Sequence, residues 1–188
     1  IKSRLELLKP IKNSFINEKI KNIYLSDLNI QTTFTPKTVK SKVKGKYSFN
    51  NLDYLNLNLE QNFENDLLNI KLDLDYKNDL ELFLINYKKS QNSVISLSLD
   101  LEKIKNSIKI NKLYLSEGDN SIKVENLRFN EKEFLSFEKI NVITQNNNFL
   151  IQNDKKIFIV GSKFDATNLM KFLNNQAGKN KFDRLNNK

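Results

Sequence analysis

Four stretches of the chain repeat one apolar spacing, in which two alternating apolar pairs flank a polar pair. They are Ile23/Leu25/Leu28/Ile30, Ile108/Ile110/Leu113/Leu115, Ile122/Val124/Leu127/Phe129 and Leu135/Phe137/Ile140/Val142. Their polar centres are Ser26-Asp27, Asn111-Lys112, Glu125-Asn126 and Glu138-Lys139. On a helix, at about 100° per residue, these apolar positions scatter around the axis. On a strand the two pairs are offset by one residue. One extra residue at the centre, a β-bulge, returns both pairs to the same face and bends the strand. The spacing therefore predicts a succession of curved strands with one apolar face.

The remaining segments support the same architecture. Val43, Gly45, Tyr47 and Phe49 share one face of a strand, as do Leu55, Leu57 and Leu59. Leu68, Ile70, Leu72, Leu74 and Tyr76 alternate with polar residues, and so do Ile95, Leu97, Leu99 and Leu101. Strict period two over such lengths predicts half-buried strands. Leu80 to Tyr87 is apolar on both faces and reads as a strand covered on both sides. Short polar clusters at 77–79, 89–92, 117–120, 146–148 and 153–156 predict tight hairpins and antiparallel pairing. The expected fold is mainly β: a curved antiparallel meander sheet, either an open groove or a sheet folded over on itself, with short terminal helices. Residues 1–21 read as a connecting segment with a short helix, from Pro10 and the spacing of Ile11, Phe15, Ile16 and Ile20. The sheet domain spans 22–173. Gly161 is expected to end the last strand, and Asp165 to cap a helix over 165–174. Residues 175–188 read as a basic flexible tail.

Composition removes several kinds of chemistry. The chain has no Cys, no His and no Trp. That excludes disulfides, thiolate nucleophiles and Cys-type zinc sites, and it removes the commonest general base and metal ligand. There is no Gly-rich phosphate loop among the four glycines. No cofactor, metal or catalytic residue is expected. The i, i+2 carboxylate pairs Asp73/Asp75, Asp100/Glu102 and Glu131/Glu133 read as a solvated outer face alternating with apolar residues. The net charge of +9 suits a polyanion partner. However, roughly a sixth of the chain is Asn, above ordinary usage, which points to a codon bias that also inflates Lys. The lysines are interspersed with acids, and no aromatic stacking motif accompanies them, so nucleic acid is a disfavoured partner.

A one-sided sheet must cover its apolar face, and two short helices are too few to do so. Either the sheet closes into a sandwich or barrel, or the face meets something else. The segment Val160-Gly161-Ser162-Lys163-Phe164-Asp165-Ala166-Thr167-Asn168-Leu169-Met170-Lys171-Phe172-Leu173 bears on this choice. It resembles the strand-Gly-x-x-(Phe/Leu)-Asp-Ala-x-x-Leu-Leu pattern of AsmA-like proteins of Gram-negative envelopes. The run of bulged strands over 108–144 is similar to the ladder of that family. The resemblance implies a long groove with an apolar interior. It also implies an N-terminal inner-membrane anchor, a periplasmic location and a part in phospholipid transport towards the outer membrane. On that basis Gly161, Phe164, Asp165 and Leu169 are structural joints: Gly161 at a turn, Phe164 packing the helix on the sheet edge, Asp165 capping it.

The chain opens on Ile1 without an anchor, so it is expected to be an internal or C-terminal slice. Neighbouring segments of the same longer chain and a phospholipid would be its partners, with membrane contact made by the missing anchor. The lining residues expected are Ile70, Leu72, Leu74, Leu97, Leu99, Leu101, Ile108 and Ile110. Two other functions fit the sequence: a non-catalytic β-sandwich module for scaffolding or adhesion, and a basic nucleic-acid binder.

Overall fold

The computed structural model describes residues 2–13, 16–130 and 133–168. Its strands in chain order are β1 (Lys2–Asn13), β2 (Ile16–Phe34), β3 (Thr38–Ser48), β4 (Leu55–Glu64) and β5 (Leu67–Tyr76). An insert follows, made of β6 (Glu81–Leu82), a 3-10 turn (Phe83–Ile85) and β7 (Tyr87–Lys88). Then come β8 (Ile95–Ile104), β9 (Ser107–Glu117), β10 (Asn120–Asn130), β11 (Glu133–Ser136), β12 (Lys139–Thr144), β13 (Asn147–Asp154) and β14 (Lys156–Lys163). Twelve strands form one antiparallel meander sheet in the order β1-β2-β3-β4-β5-β8-β9-β10-β12-β13-β14, with β11 also beside β10. The sheet is not closed into a barrel. β6 and β7 pair only with each other.

The bulges fall where the apolar spacing places them. In β2, Ser26 pairs Lys46 and Asn29 pairs Lys44, so Asp27 and Leu28 both oppose Gly45. Asp27 takes φ 53°, the left-handed conformation that a short polar side chain tolerates. In β9, Asp100 pairs Lys112 while Leu101 pairs Ile110, leaving Asn111 as the extra residue. In β10 Asn126 has φ 52° and lies beside it, because Glu125 pairs Lys112 and Leu127 pairs Ile110. The fourth repeat breaks between β11 and β12, where the Glu138 N–H donates to the Glu125 carbonyl at 3.1 Å.

Register then sorts the side chains into two faces. On one face the cross-strand rank Ile30, Val43, Leu59, Leu72, Leu99, Leu113, Val124, Ile140, Ile151, Ile159 is apolar throughout. At about 4.8 Å between strands it extends roughly 40 Å. On the other face the rank Lys42, Glu60, Lys71, Asp100, Lys112, Glu125, Lys139 alternates in charge across seven neighbouring strands. Opposite charges directly across strands stabilise the pairing, and a one-residue slip would put like polarity on the wrong face. Lys42 Nζ lies 3.0 Å from Glu60 Oε1, and Lys71 Nζ lies 3.9 Å from Asp100 Oδ2.

Three expectations are corrected. Residues in 1–21 form strand, not helix: β1 pairs with β2 from Lys2↔Ser26 to Asn13↔Ile16. β2 runs through the expected boundary at 21–22 without a break. The backbone edge of β2 offers donors and acceptors that an extended neighbour satisfies and a helix does not. Pro10 fits this arrangement because β1 is an edge strand, and the register shifts between Glu6 and Ile11. The second correction is Leu80 to Tyr87, which is no continuous strand. It turns through Phe83–Ile85, with Asn86 at φ 48°, and folds over the end of the sheet. Third, the last strand does not end at Gly161 but runs on to Lys163, and its Ile157 to Val160 side chains are exposed. Of the helix expected at 165–174, Thr167 and Asn168 are helical; Leu169 and everything after it, including the tail 175–188, lie outside the described residues.

The buried core sits at one end of the apolar face. Tyr76, Tyr87, Ile95, Leu115, Ile122, Val142 and Phe149 form it, with Leu80, Leu82 and Ile85 of the insert packed against them. The insert is therefore a cap over one end of the strands.

Candidate lipid-facing surface

Four apolar ranks run across the strands from the cap to the opposite hairpin ends. Leu74–Leu97–Leu115–Ile122 lies nearest the cap, then Leu72–Leu99–Leu113–Val124, then Ile70–Leu101–Ile110–Leu127. The outermost is Phe63–Leu68–Lys103–Ile108–Phe129. The bulges at Asn111 and Asn126 lie between the second and third ranks and keep both on one face, as the spacing requires. The cap covers the first rank; outward from it the face carries no second layer of strands among the described residues.

All eight residues expected to line a groove share this face, on the adjacent strands β5, β8 and β9. Leu74 and Leu97 pack against the capped core. Ile70, Leu72, Leu99, Leu101, Ile108 and Ile110 are half-buried, each flanked by its rank neighbours. The same ranks continue through Val43 and Leu59 on one side and Leu113, Val124, Ile140 and Ile151 on the other. The signal was present in the alternation, but register is needed to align it.

Of the expected motif residues, Gly161, Phe164 and Asp165 lie beside the cap rather than along the face, and Leu169 lies outside the described residues. Gly161 lies within β14, not after it: it pairs Phe149, and an added Cβ would sit 2.5 Å from the Asn148 carbonyl oxygen. Phe164 places its ring edge-on to Phe149 at 5.1 Å, holding the chain to the sheet. Asp165 accepts the Thr167 N–H at 3.0 Å, the capping bond expected of it. It also accepts the Asn86 amide at 2.7 Å, across 79 residues of sequence. Hydrogen bonds from the Asn86 amide and from Thr167 hold its carboxyl at about 2. Fully buried Asn147 completes the clasp: its amide donates to the Ile85 carbonyl at 2.7 Å, and its oxygen accepts the Asp165 N–H at 2.9 Å.

A second set of bonds fixes the other side of the cap. Glu117 is 6% exposed and accepts from the Tyr87 hydroxyl at 2.7 Å, the Ser90 N–H at 2.7 Å and the Ser93 hydroxyl. Burial favours its neutral form, yet the donors from Ser93, Tyr87 and Ser90 overcome this and hold it at about 2. Desolvation and the Glu117 contact push the Tyr87 hydroxyl up. Buried Lys89 donates to the Ser90 and Ser93 carbonyls at 2.9 and 2.8 Å.

The polar face carries shallow grooves, one of about 420 Å³ lined by residues such as Lys42, Glu60, Lys71 and Asp100. Asp73 accepts the Ser98 hydroxyl at 2.6 Å, and Asp75 accepts Asn56 and Ser96. Asp100 and Glu102 share the Asn111 amide. These carboxylates are thus matched by cross-strand donors, and no group of three acidic residues among the described residues could hold a metal ion.

The fold and this surface define an open antiparallel meander sheet, amphipathic between its faces, capped at one end. Compared with family models, curated proteins and solved structures, the chain matches none. Among the described residues no helix is long and apolar enough to cross a membrane.

Proposed function

We propose that the chain is a groove segment of an AsmA-like envelope protein, lying on the periplasmic side of the inner membrane, and that its apolar face carries phospholipid acyl chains. The observation behind this reading is the ten-strand apolar rank from Ile30 to Ile159, which the cap leaves uncovered outside the core. Transfer of an acyl chain onto such a face is worth about 0.8 kcal/mol per buried CH₂, without specific chemistry. The mechanism is passive: a continuous apolar path on which no covalent step occurs. The Gly161–Asp165 pattern adds the family resemblance. Neighbouring segments of a longer chain would extend the path in both directions from β1 and β14.

The test is phospholipid bound to the purified chain, quantified by mass spectrometry, with Leu72→Asp and Leu99→Asp as variants. Lipid on the parent and its loss from variants that keep their β circular dichroism support the reading. A lipid-free parent whose variants unfold would sink it in favour of a closed protein core.

A further inference from the structure

The outermost apolar rank contains one interruption. Phe63, Leu68, Ile108 and Phe129 flank Lys103, the only charged side chain in the four ranks between cap and hairpin ends. β8 alternates Ile95, Leu97, Leu99 and Leu101 towards it, so the lysine occupies a position that period two assigns to an apolar residue. Lys103 is exposed at the outer end of this face, and among the described residues neither it nor Lys105 forms an ion pair. The two lysines rim a notch of about 370 Å³ whose floor is Phe63 and Leu68 and whose single acid is Asp66. The notch lies at the end of the strands opposite the cap. From Lys103 to Leu97, beside the core, is roughly 20 Å at about 3.3 Å per residue, comparable with an extended acyl chain.

We infer that this notch seats the phosphate head of an anionic phospholipid, with Lys103 and Lys105 against the phosphate and the tails running over Leu101 and Leu99 towards the cap. The inference rests on the lipid-binding reading above and adds to it a headgroup class and a direction. Both lysines are exposed, and a cation at a lipid surface attracts an anionic headgroup by about 1 kcal/mol.

The experiment incubates the full chain with vesicles of equal phosphatidylglycerol and phosphatidylcholine, reisolates the protein and measures both lipids by mass spectrometry. The parent is expected to enrich phosphatidylglycerol roughly five-fold. Lys103→Glu with Lys105→Glu should bring the ratio near one without lowering total lipid. The milder Lys103→Gln should lower it in part, and Lys155→Glu, on a distant hairpin, should leave it unchanged. An unchanged ratio in the double variant overturns the inference. A parent that carries both lipids equally overturns it too, while leaving the lipid-binding reading intact. A parent that carries no lipid removes both. Excess inorganic phosphate should not alter the ratio, since the tails supply most of the affinity; loss of enrichment would assign the notch to free phosphate instead.

Discussion

An ideal Cβ added to Gly45 would lie 2.7 Å from Leu28 Cδ2 and 3.0 Å from the carbonyl oxygens of Ser26 and Asp27. The bulge at Asp27–Leu28 presses on its partner strand, and only a residue without a side chain fits opposite. Gly45→Ala is therefore expected to cost about 1–3 kcal/mol, read as a lower urea midpoint with an unchanged slope. Glu117 makes a different residue-scale prediction. Its folded value of about 2 lies below the ordinary 4.5. The carboxylate thus contributes stability that is complete above pH 4.5 and fades as pH falls towards 2. Glu117→Gln should lower stability by about 1–3 kcal/mol at neutral pH. The gap should narrow on acidification, which paired urea titrations at neutral pH and near pH 2 would reveal. The Gly45 fit could not be foreseen: the alternation marks it as a strand residue but not as the partner of a bulge 17 positions earlier.

At the scale of elements, legibility followed periodicity. Strands β4, β5, β8, β9 and β10 were readable because polar and apolar residues alternate on a sheet with one wet face. The bulges were readable because an inserted residue leaves a visible phase shift. The segment 1–21 is illegible because Ile11, Phe15, Ile16 and Ile20 fall at helical spacing, and the edge of β2 that recruits β1 has no signature inside it. The insert is illegible for the opposite reason. Its continuous apolar run matches a doubly covered strand, whereas the chain spends those residues on a cap seated on Tyr76 and Ile95. The alternating-charge rank was visible as dispersed charge, yet its order emerges only from register. Lys71→Glu sets three acids side by side at 60, 71 and 100. It should destabilise the sheet by about 1 kcal/mol. The loss should shrink in molar salt, where exposed charges are screened.

For the whole molecule, the two long edges are unequal. β14 exposes Ile157, Phe158, Ile159 and Val160 at 61, 55, 69 and 67%, on both faces at once. Among the described residues no strand covers this edge, and an exposed apolar edge strand pairs with other chains. Phe158→Lys with Val160→Lys should accordingly reduce concentration-dependent self-association in light scattering while leaving the β circular dichroism intact. Most contacts in the sheet join strands that are neighbours along the chain. The insert after β5 is the exception: Glu117 ties it to the end of β9, and the clasp from Asn86 to Asp165 ties it to the end of β14. The meander is thereby a closed circuit from β5 to β14, from which β1–β4 extend as an arm joined to it by the β4–β5 pairing and by Phe49 against the core. Amide protons inside the circuit can exchange with solvent only when it opens as a unit, whereas those of the arm can peel away strand by strand from β1. Deuterium uptake should therefore rise in steps towards the N-terminal edge, and Asp165→Ala should lower the plateau without altering the steps.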